Sequence, residues 1–407
     1  MLESVSSFGN IIANTLSFSY ILFIFVAPIM VGFFFYEAYI TYKRNEFINQ
    51  QDKVLLQVLI PQEIMKSPLA MELFLTALYQ TKGEGNFVKK YINGGVRPWF
   101  SLELVSDGGE IKFYIWAWKF WKPLIESQLY AQYPDVEITE VPDYASLFPF
   151  SFETHDLWGC NFILNKPDCY PIKSYVDYQL DKDPKEEFKI DPMTPMLEYL
   201  GGLRQGEHAW IQIIVRAHKS ERVKHGGKMG EKVDWSHDAG EEIKKIKNKD
   251  VQKADTVNLT GLSMSKGDKE KIEAIEKNIS KIPFDCGIRV IYLAEKDKFS
   301  DINVAGLNGA FRQYNSNNLN GFKADHDTSF DYRWQDWSGK KLIKKKEHTL
   351  HGYQTRHFFH NPEKGHFYVL NTESLATIYH FPGQVAKTPS LNRINAKKAE
   401  APANLPI

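Results

Sequence analysis

Between Glu3 and Glu37 the chain carries no charged residue, a run of 33 positions. Water has little use for such a stretch, whereas a bilayer requires one. Its densest part, 16–36, reads LSFSYILFIFVAPIMVGFFFY. As a helix it reaches about 31 Å at ~1.5 Å per residue, the thickness of a hydrocarbon core. Pro28 introduces a kink of a kind that membrane helices tolerate. Tyr36, Tyr39 and Tyr42 form an aromatic belt, and Lys43 and Arg44 follow. Positive charge after the span places the remaining chain in the cytoplasm, with the helix in the cell (inner) membrane. A cleaved signal peptide would need a basic start and a shorter apolar stretch. Here the first charge is Glu3 and no small-residue cleavage site follows. The expectation is an N-terminal segment 1–15, a single retained span 16–36 and a juxtamembrane linker 37–52.

The rest of the 407 residues can bury a core: 43% are hydrophobic and 14% aromatic, which excludes a mostly disordered chain. Fifty basic and fifty acidic residues cancel, so bulk electrostatics gives no grip on nucleic acid, although a local patch remains open. Cys160, Cys169 and Cys286 are too few for a disulfide framework and read as reduced thiols.

The order of elements predicts an α+β protein. VLLQVLI (54–60) is a buried strand ended by Pro61. Ser67-Pro68 opens a helix over LAMELFLTALYQ. Two alternating runs flank Asp107-Gly108-Gly109, a hairpin signal. Residues 122–133 form an amphipathic helix and 136–141 a strand. Strand, helix, strand, strand, helix, strand is the ferredoxin-like, or split βαβ, unit, expected over 53–145. A proline-rich connector is expected over 146–206, with one short strand near 161–164. A second, imperfect ferredoxin-like α/β unit follows over 207–381. It carries a mobile insertion at 219–255 with a short helix near 241–249, a helix opened by Ser265-Lys-Gly-Asp268, and a closing strand at 366–370. It lacks a clear counterpart of the first hairpin. Residues 382–407 read as an extended, proline-containing tail.

Catalytic signatures are weak. Gly383-Gln-Val-Ala-Lys387-Thr388 lacks the second glycine of a P-loop and meets Pro389. His348, His351, His357, His360 and His366 crowd one stretch without metal-ligand spacing, and read as alternating along a strand pair. Asp325/Asp327 and Asp331/Asp336 read as acids of a surface loop. The expectation is therefore no enzyme, no cofactor and no metal. Trp334 and Trp337 before Lys340, Lys341, Lys344, Lys345 and Lys346 combine stacking surface with positive charge. That pattern suits single-stranded nucleic acid or anionic lipid, or else a solvated hairpin tip.

PQEIMKSPLAMELFLTALY, GGVRPWFSLELVSDGGEIKFYIWAW, GLNGAFRQYNSNNLNGFK and VLNTESLATIYHFPGQVAKTPSLNRINAKKAEAPANLP together give a further resemblance. The chain resembles the N-terminal, non-ATPase region, largely a domain of unknown function, of bacterial membrane-anchored proteins. Those proteins are related to type IV secretion and conjugation ATPases, motors of the HerA–FtsK class. The resemblance covers most of 54–406, and 370–383 is its most specific part. Such proteins often continue from the PANLP phrase into a P-loop domain, whereas this sequence stops at Ile407. The resemblance thus implies a scaffold or docking component whose partner ATPase is encoded nearby, with a docking segment at Leu375, Tyr379, His380, Phe381 and Pro382. It leaves a homo-oligomer open, since these motors are hexameric. The alternative is a membrane-tethered single-stranded nucleic-acid-binding module.

Overall fold

The computed structural model describes residues 2–61, 66–181, 190–220, 222–223, 232–233, 235–257, 265–325, 327–330, 334, 336–383 and 393–394. Two compact units emerge, Met1–Gln51 with Lys82–Val96, and Asp52–Thr81 with Arg97–Ile407. In chain order the first elements are α1 (Leu2–Asn49), β1 (Lys53–Pro61), α2 (Leu69–Ala77), α3 (Phe87–Tyr91), β2 (Phe100–Asp107), β3 (Glu110–Trp118), α4 (Lys122–Gln132) and β4 (Glu137–Val141). Next come α5 (Tyr144–Leu147), β5 (His155–Leu164), α6 (Thr194–Gly201), β6 (Glu207–Ala217), the short pair β7 (Arg222–Val223) and β8 (Lys232–Val233), α7 (Trp235–Val257) and α8 (Lys266–Ile279). The chain continues through β9 (Pro283–Glu295), α9 (Asp301–Ala310), β10 (Phe322–Asp325), α10 (Lys340–Thr355), β11 (Tyr368–Asn371), α11 (Thr372–Ile378) and β12 (Arg393–Ile394).

The smaller unit is built on α1, a 48-residue helix that continues through Pro28. Its stretch from Phe23 is long and apolar enough to cross a membrane. Side chains from 23 to 38 are exposed, apart from a half-buried Ala27. From Tyr39 onward the helix packs against its own unit, and Ile40 and Ile48 are buried.

In the larger unit β1 pairs with β3 and β4, and β3 with β2, all antiparallel. The order β4-β1-β3-β2 is compatible with the expected split βαβ arrangement. Its hairpin closes through Gly108 and Gly109, both at positive φ (57° and 93°), a turn that side chains with a Cβ resist. Ser67 does not cap α2 through its side chain; instead its carbonyl accepts the Ala70 N–H at 3.0 Å.

The second half differs from the sequence reading. β10 pairs with β5, β5 with β9 and β9 with β6, all antiparallel. The order β10-β5-β9-β6 repeats the first scheme, with α6 and α9 in the places of α2 and α4. The unit thus begins at β5, inside the segment expected to be a connector, rather than at 207. Its missing hairpin is β6–β9, whose two strands are separated by β7, β8, α7 and α8. α7 is also far longer than the short helix expected there, because Ala239, Ile243 and Ile246 pack with Cys169, Ile275 and Ile279. β11 is not the closing strand: it extends the edge of β9 beyond β5, and β10 closes the unit. Ser265 caps α8 as expected, accepting the Asp268 N–H at 3.1 Å.

The halves meet where β2 pairs antiparallel with β6, from Phe100 opposite Val215 to Asp107 opposite His208. One sheet of ten strands results, including β12 parallel to β1. α2, α4, α6, α9 and α11 share a continuous apolar core with one face of this sheet. The opposite face is covered by α5, α10 and the chain from 356 to 367. Of the expected tail, 384–392 and 395–407 lie outside the described residues.

Candidate functional site

The covered face carries a polar row at right angles to the strands. Register places Thr139, Gln57, Tyr114, Glu103, Gln212, Arg289, Asn161 and Asp325 side by side. Each comes from a different strand. The rows above and below hold Val105, Trp210 and Ile291, or Trp116, Ser101 and Ile214, so apolar side chains dominate on both sides at the centre of the sheet. Glu103 and Gln212 meet on the seam between the halves and are fully buried. Each interrupts an otherwise apolar strand: LELV, IQII and, for Arg289, IRVI. That interruption is the sequence signal for the site, since buried charges must be paired.

Glu103 is the hub. Oε1 accepts Ser101 Oγ at 2.6 Å, Gln212 Nε2 at 2.9 Å and Arg356 Nε at 3.0 Å. Oε2 accepts Arg356 Nη2 at 3.1 Å and Tyr144 Oη at 2.8 Å. Arg356 follows the end of α10 at φ 54°, and the Trp99 indole donates to its carbonyl at 2.8 Å. The same guanidinium spans Asp143 through Nη1 and Nη2. Burial would lower Arg356, but Glu103 and Asp143 hold it well above the usual arginine range. Burial would raise Asp143, but Arg356, with the Ser146 hydroxyl and the Ala145 amide, holds it below the usual carboxylate value. The Tyr144 and Tyr353 hydroxyls sit 2.7 Å apart, and burial pushes both well above an ordinary phenol. Gln212 passes the chain on to Arg289 Nη1 at 3.3 Å. Burial lowers Arg289 to about 10, with Glu363 opposing, so it remains a cation at neutral pH.

A second buried group lies on the same face. Asp285 accepts Arg216 Nε at 2.8 Å and faces His218 Nδ1 at 2.6 Å. Arg216 also lies 4.3 Å above the Phe359 ring. Burial would raise Asp285, but His218 and Arg216 hold it below the usual range.

α10 joins this interior to the surface. Trp334 and Trp337 are 65% and 84% exposed, and Lys340, Lys341 and Lys344 are exposed nearby. The run is therefore the start of a helix rather than a hairpin tip. Lys345 turns over Phe330, 5.1 Å from its centroid, and Lys346 pairs with Asp156, so neither belongs to the open patch. Asp336 caps the helix, accepting the Leu342 N–H at 2.7 Å. Its expected partner Asp331 lies outside the described residues, and Asp325 belongs to β10 rather than a loop.

The histidines do not alternate on strands. His348 and His351 sit on α10 and reach the buried Glu363 at 3.0 and 3.1 Å, while His357, His360 and His366 lie in the chain that follows. Among the described residues no group of three or more His, Cys, Asp or Glu side chains is placed to hold a metal ion.

Leu375, Tyr379, His380, Phe381 and Pro382, expected as a docking segment, are buried. α11 is enclosed on all sides. Asn371 caps it by accepting the Ser374 N–H at 2.7 Å, and the His380 ring reaches Asp191 at 3.2 Å. An apolar, aromatic run of this kind is core. Its polar members serve caps and buried pairs within the chain.

Helix and sheet define a class: an α+β protein with an apolar N-terminal helix and a double antiparallel sheet covering an internal polar row. The chain belongs to the family described as a domain of unknown function (DUF8128), which matches residues 37–392. No curated protein matches it.

Proposed function

We propose that the protein is a membrane-anchored docking scaffold with no catalytic role of its own, held in the inner membrane by α1 with its larger unit in the cytoplasm. The observation that carries this reading is the bare helix from 23 to 38, followed by Lys43 and Arg44. The closed Glu103–Arg356–Asp143 network supports it, because its donors and acceptors are spent on one another. The resemblance to type IV secretion and conjugation proteins makes an ATPase of the HerA–FtsK class the proposed partner. The open face of α10 replaces 375–382 as the surface for it. Membrane fractionation of the full chain tests the anchor: it stays in the pellet after alkaline carbonate, and release into the supernatant overturns the anchor. Purification in detergent from its own cells tests the partner. A stoichiometric ATPase is expected, and its loss on Trp337→Ala with Lys344→Glu assigns the surface.

A second reading rests on Trp334 and Trp337 beside Lys340, Lys341 and Lys344: the same face holds single-stranded nucleic acid. Oligonucleotide binding that weakens linearly on a log–log salt plot and is lost in Trp337→Ala favours it over the first.

A further inference from the structure

The smaller unit carries a second apolar surface beside α1. Within α3 and the residue after it, Phe87, Val88, Tyr91 and Ile92 are exposed by 72%, 49%, 38% and 46%. The Phe87 and Tyr91 rings pack together 4.8 Å apart, so both face outward as one patch. Four exposed apolar side chains within six residues are costly in water, more so in a short helix that buries none of its own residues.

The patch is fixed against the lower part of α1. Tyr39 Oη donates to the Ile92 carbonyl at 3.3 Å. Lys89 lies 6.0 Å from the Phe47 ring centroid. Gly94, at φ 69°, lets the chain touch the helix backbone: a Cβ there would stand 2.4 Å from the Lys43 carbonyl carbon. Tyr39 lies three residues beyond the apolar stretch that ends at Tyr36, or about 4.5 Å along the axis at ~1.5 Å per residue. The polar layer outside a ~30 Å hydrocarbon core is several ångströms deep on each side. The Ile92 end of the patch therefore falls at headgroup depth, and the contact of Gly94 with Lys43, about 10 Å beyond Tyr36 at ~1.5 Å per residue, sets its far side at the outer edge of that layer.

Charge completes the match. Lys43 is held by Glu46 at 2.7 Å and Lys90 by Glu84 at 2.9 Å. Arg44 and the exposed Lys89 have no carboxylate partner among the described residues. Aromatic and aliphatic side chains interleaved with lysines are what a lipid interface accommodates.

We propose that residues 87–92 form an interfacial membrane-contact site, with Phe87, Val88, Tyr91 and Ile92 inserted between headgroups and Arg44 and Lys89 binding anionic phospholipid. This rests on α1 spanning the bilayer, and the test separates the two. The full chain is placed in lipid nanodiscs with a spin label at one of Phe33→Cys, Val88→Cys, Ile92→Cys or Asn49→Cys. Collision with oxygen is then compared with collision with a water-soluble nickel chelate. Labels at 88 and 92 are expected to report immersion shallower than at 33, while 49 reports water. Immersion deepens when phosphatidylglycerol replaces part of the phosphatidylcholine, and Lys89→Gln with Arg44→Gln removes that dependence. If 88 and 92 match 49 while 33 reports the bilayer core, the contact site is overturned and the span stands. If 33 also reports water, both fall. Immersion indifferent to lipid charge overturns the role of Arg44 and Lys89.

Discussion

Glu103 has no exposed surface, so the protein itself must meet its charge, and Arg356 does so with two donors while also holding Asp143. Breaking a buried pair from one side leaves the other charge stranded, at about 3–5 kcal/mol. Arg356→Ala should lower the stability of the detergent-solubilised chain by that amount in urea unfolding; a loss below about 1 kcal/mol would mean that water reaches Glu103. His357 contributes to the response to acid. Burial, with Lys53, His351 and Arg289 nearby, lowers its pKa from 6.5 to about 4, and Nε2 has no hydrogen-bond partner among the described residues. Between those two values the unfolded chain binds the extra proton and the folded chain does not, so stability falls as pH drops. The loss is at most about 3 kcal/mol at 1.36 kcal/mol per unit, and His357→Phe should flatten that part of the stability–pH curve. Asp143, Asp191 and Asp285 act lower down. Held below their ordinary 3.8, they contribute fully above that value and lose their contribution as pH falls through the folded values.

Among the elements, α10 was the least legible in sequence. Its buried residues are Leu350, Gly352 and Tyr353, while its first turns are dense in lysine. The apolar stripe was too sparse to mark a helix. Lysines at a helix start oppose the macrodipole, and Asp336 compensates from outside the helix through the Leu342 amide. Asp336→Ala should therefore speed amide hydrogen exchange over residues 340–344 and leave β9 unchanged; equal acceleration in both would point to global unfolding instead. β5 was obscured for a different reason. Only its last residues, 161–164, were expected as a strand, because the glycine at 159 weakens the local strand signal and its neighbours across the sheet lie far away in sequence. β9 needs Gly287 because the Phe358 ring occupies the place of a side chain, only 2.1 Å from a built Cβ. Gly287→Ala should cost about 1–3 kcal/mol in the same urea measurement, as overpacking does, and a neutral result would show that Phe358 swings aside freely.

At the scale of the whole molecule, the first βαββαβ order could be read because its hairpin is local, with β2 and β3 joined by the turn at Gly108 and Gly109, and because its helices and strands follow one another in short, separately recognisable stretches. The second has the same strand order but was legible only as an imperfect copy, with its first and closing strands misplaced, since β6 and β9 are parted by α7 and α8 and no local turn announces the hairpin. The polar row was legible only as single odd residues in apolar strands, because register, which unites them, is set by pairings across the chain. Joining the halves through β2 and β6 has an energetic consequence. Phe100, Leu102 and Leu104 stand opposite Val215, Ile213 and Ile211 within one continuous core, so opening either half uncovers apolar side chains of the other along the seam. Glu103 strengthens the dependence, since its partners come from β6, from the start of α5 and from the end of α10. The larger unit should therefore unfold in one cooperative transition, with calorimetric and van't Hoff enthalpies equal. Leu102→Asp, on the seam, should lower the midpoint without splitting the transition. Two resolved transitions in the parent protein, one for each set of four strands, would show that the halves are separate domains that merely share an edge.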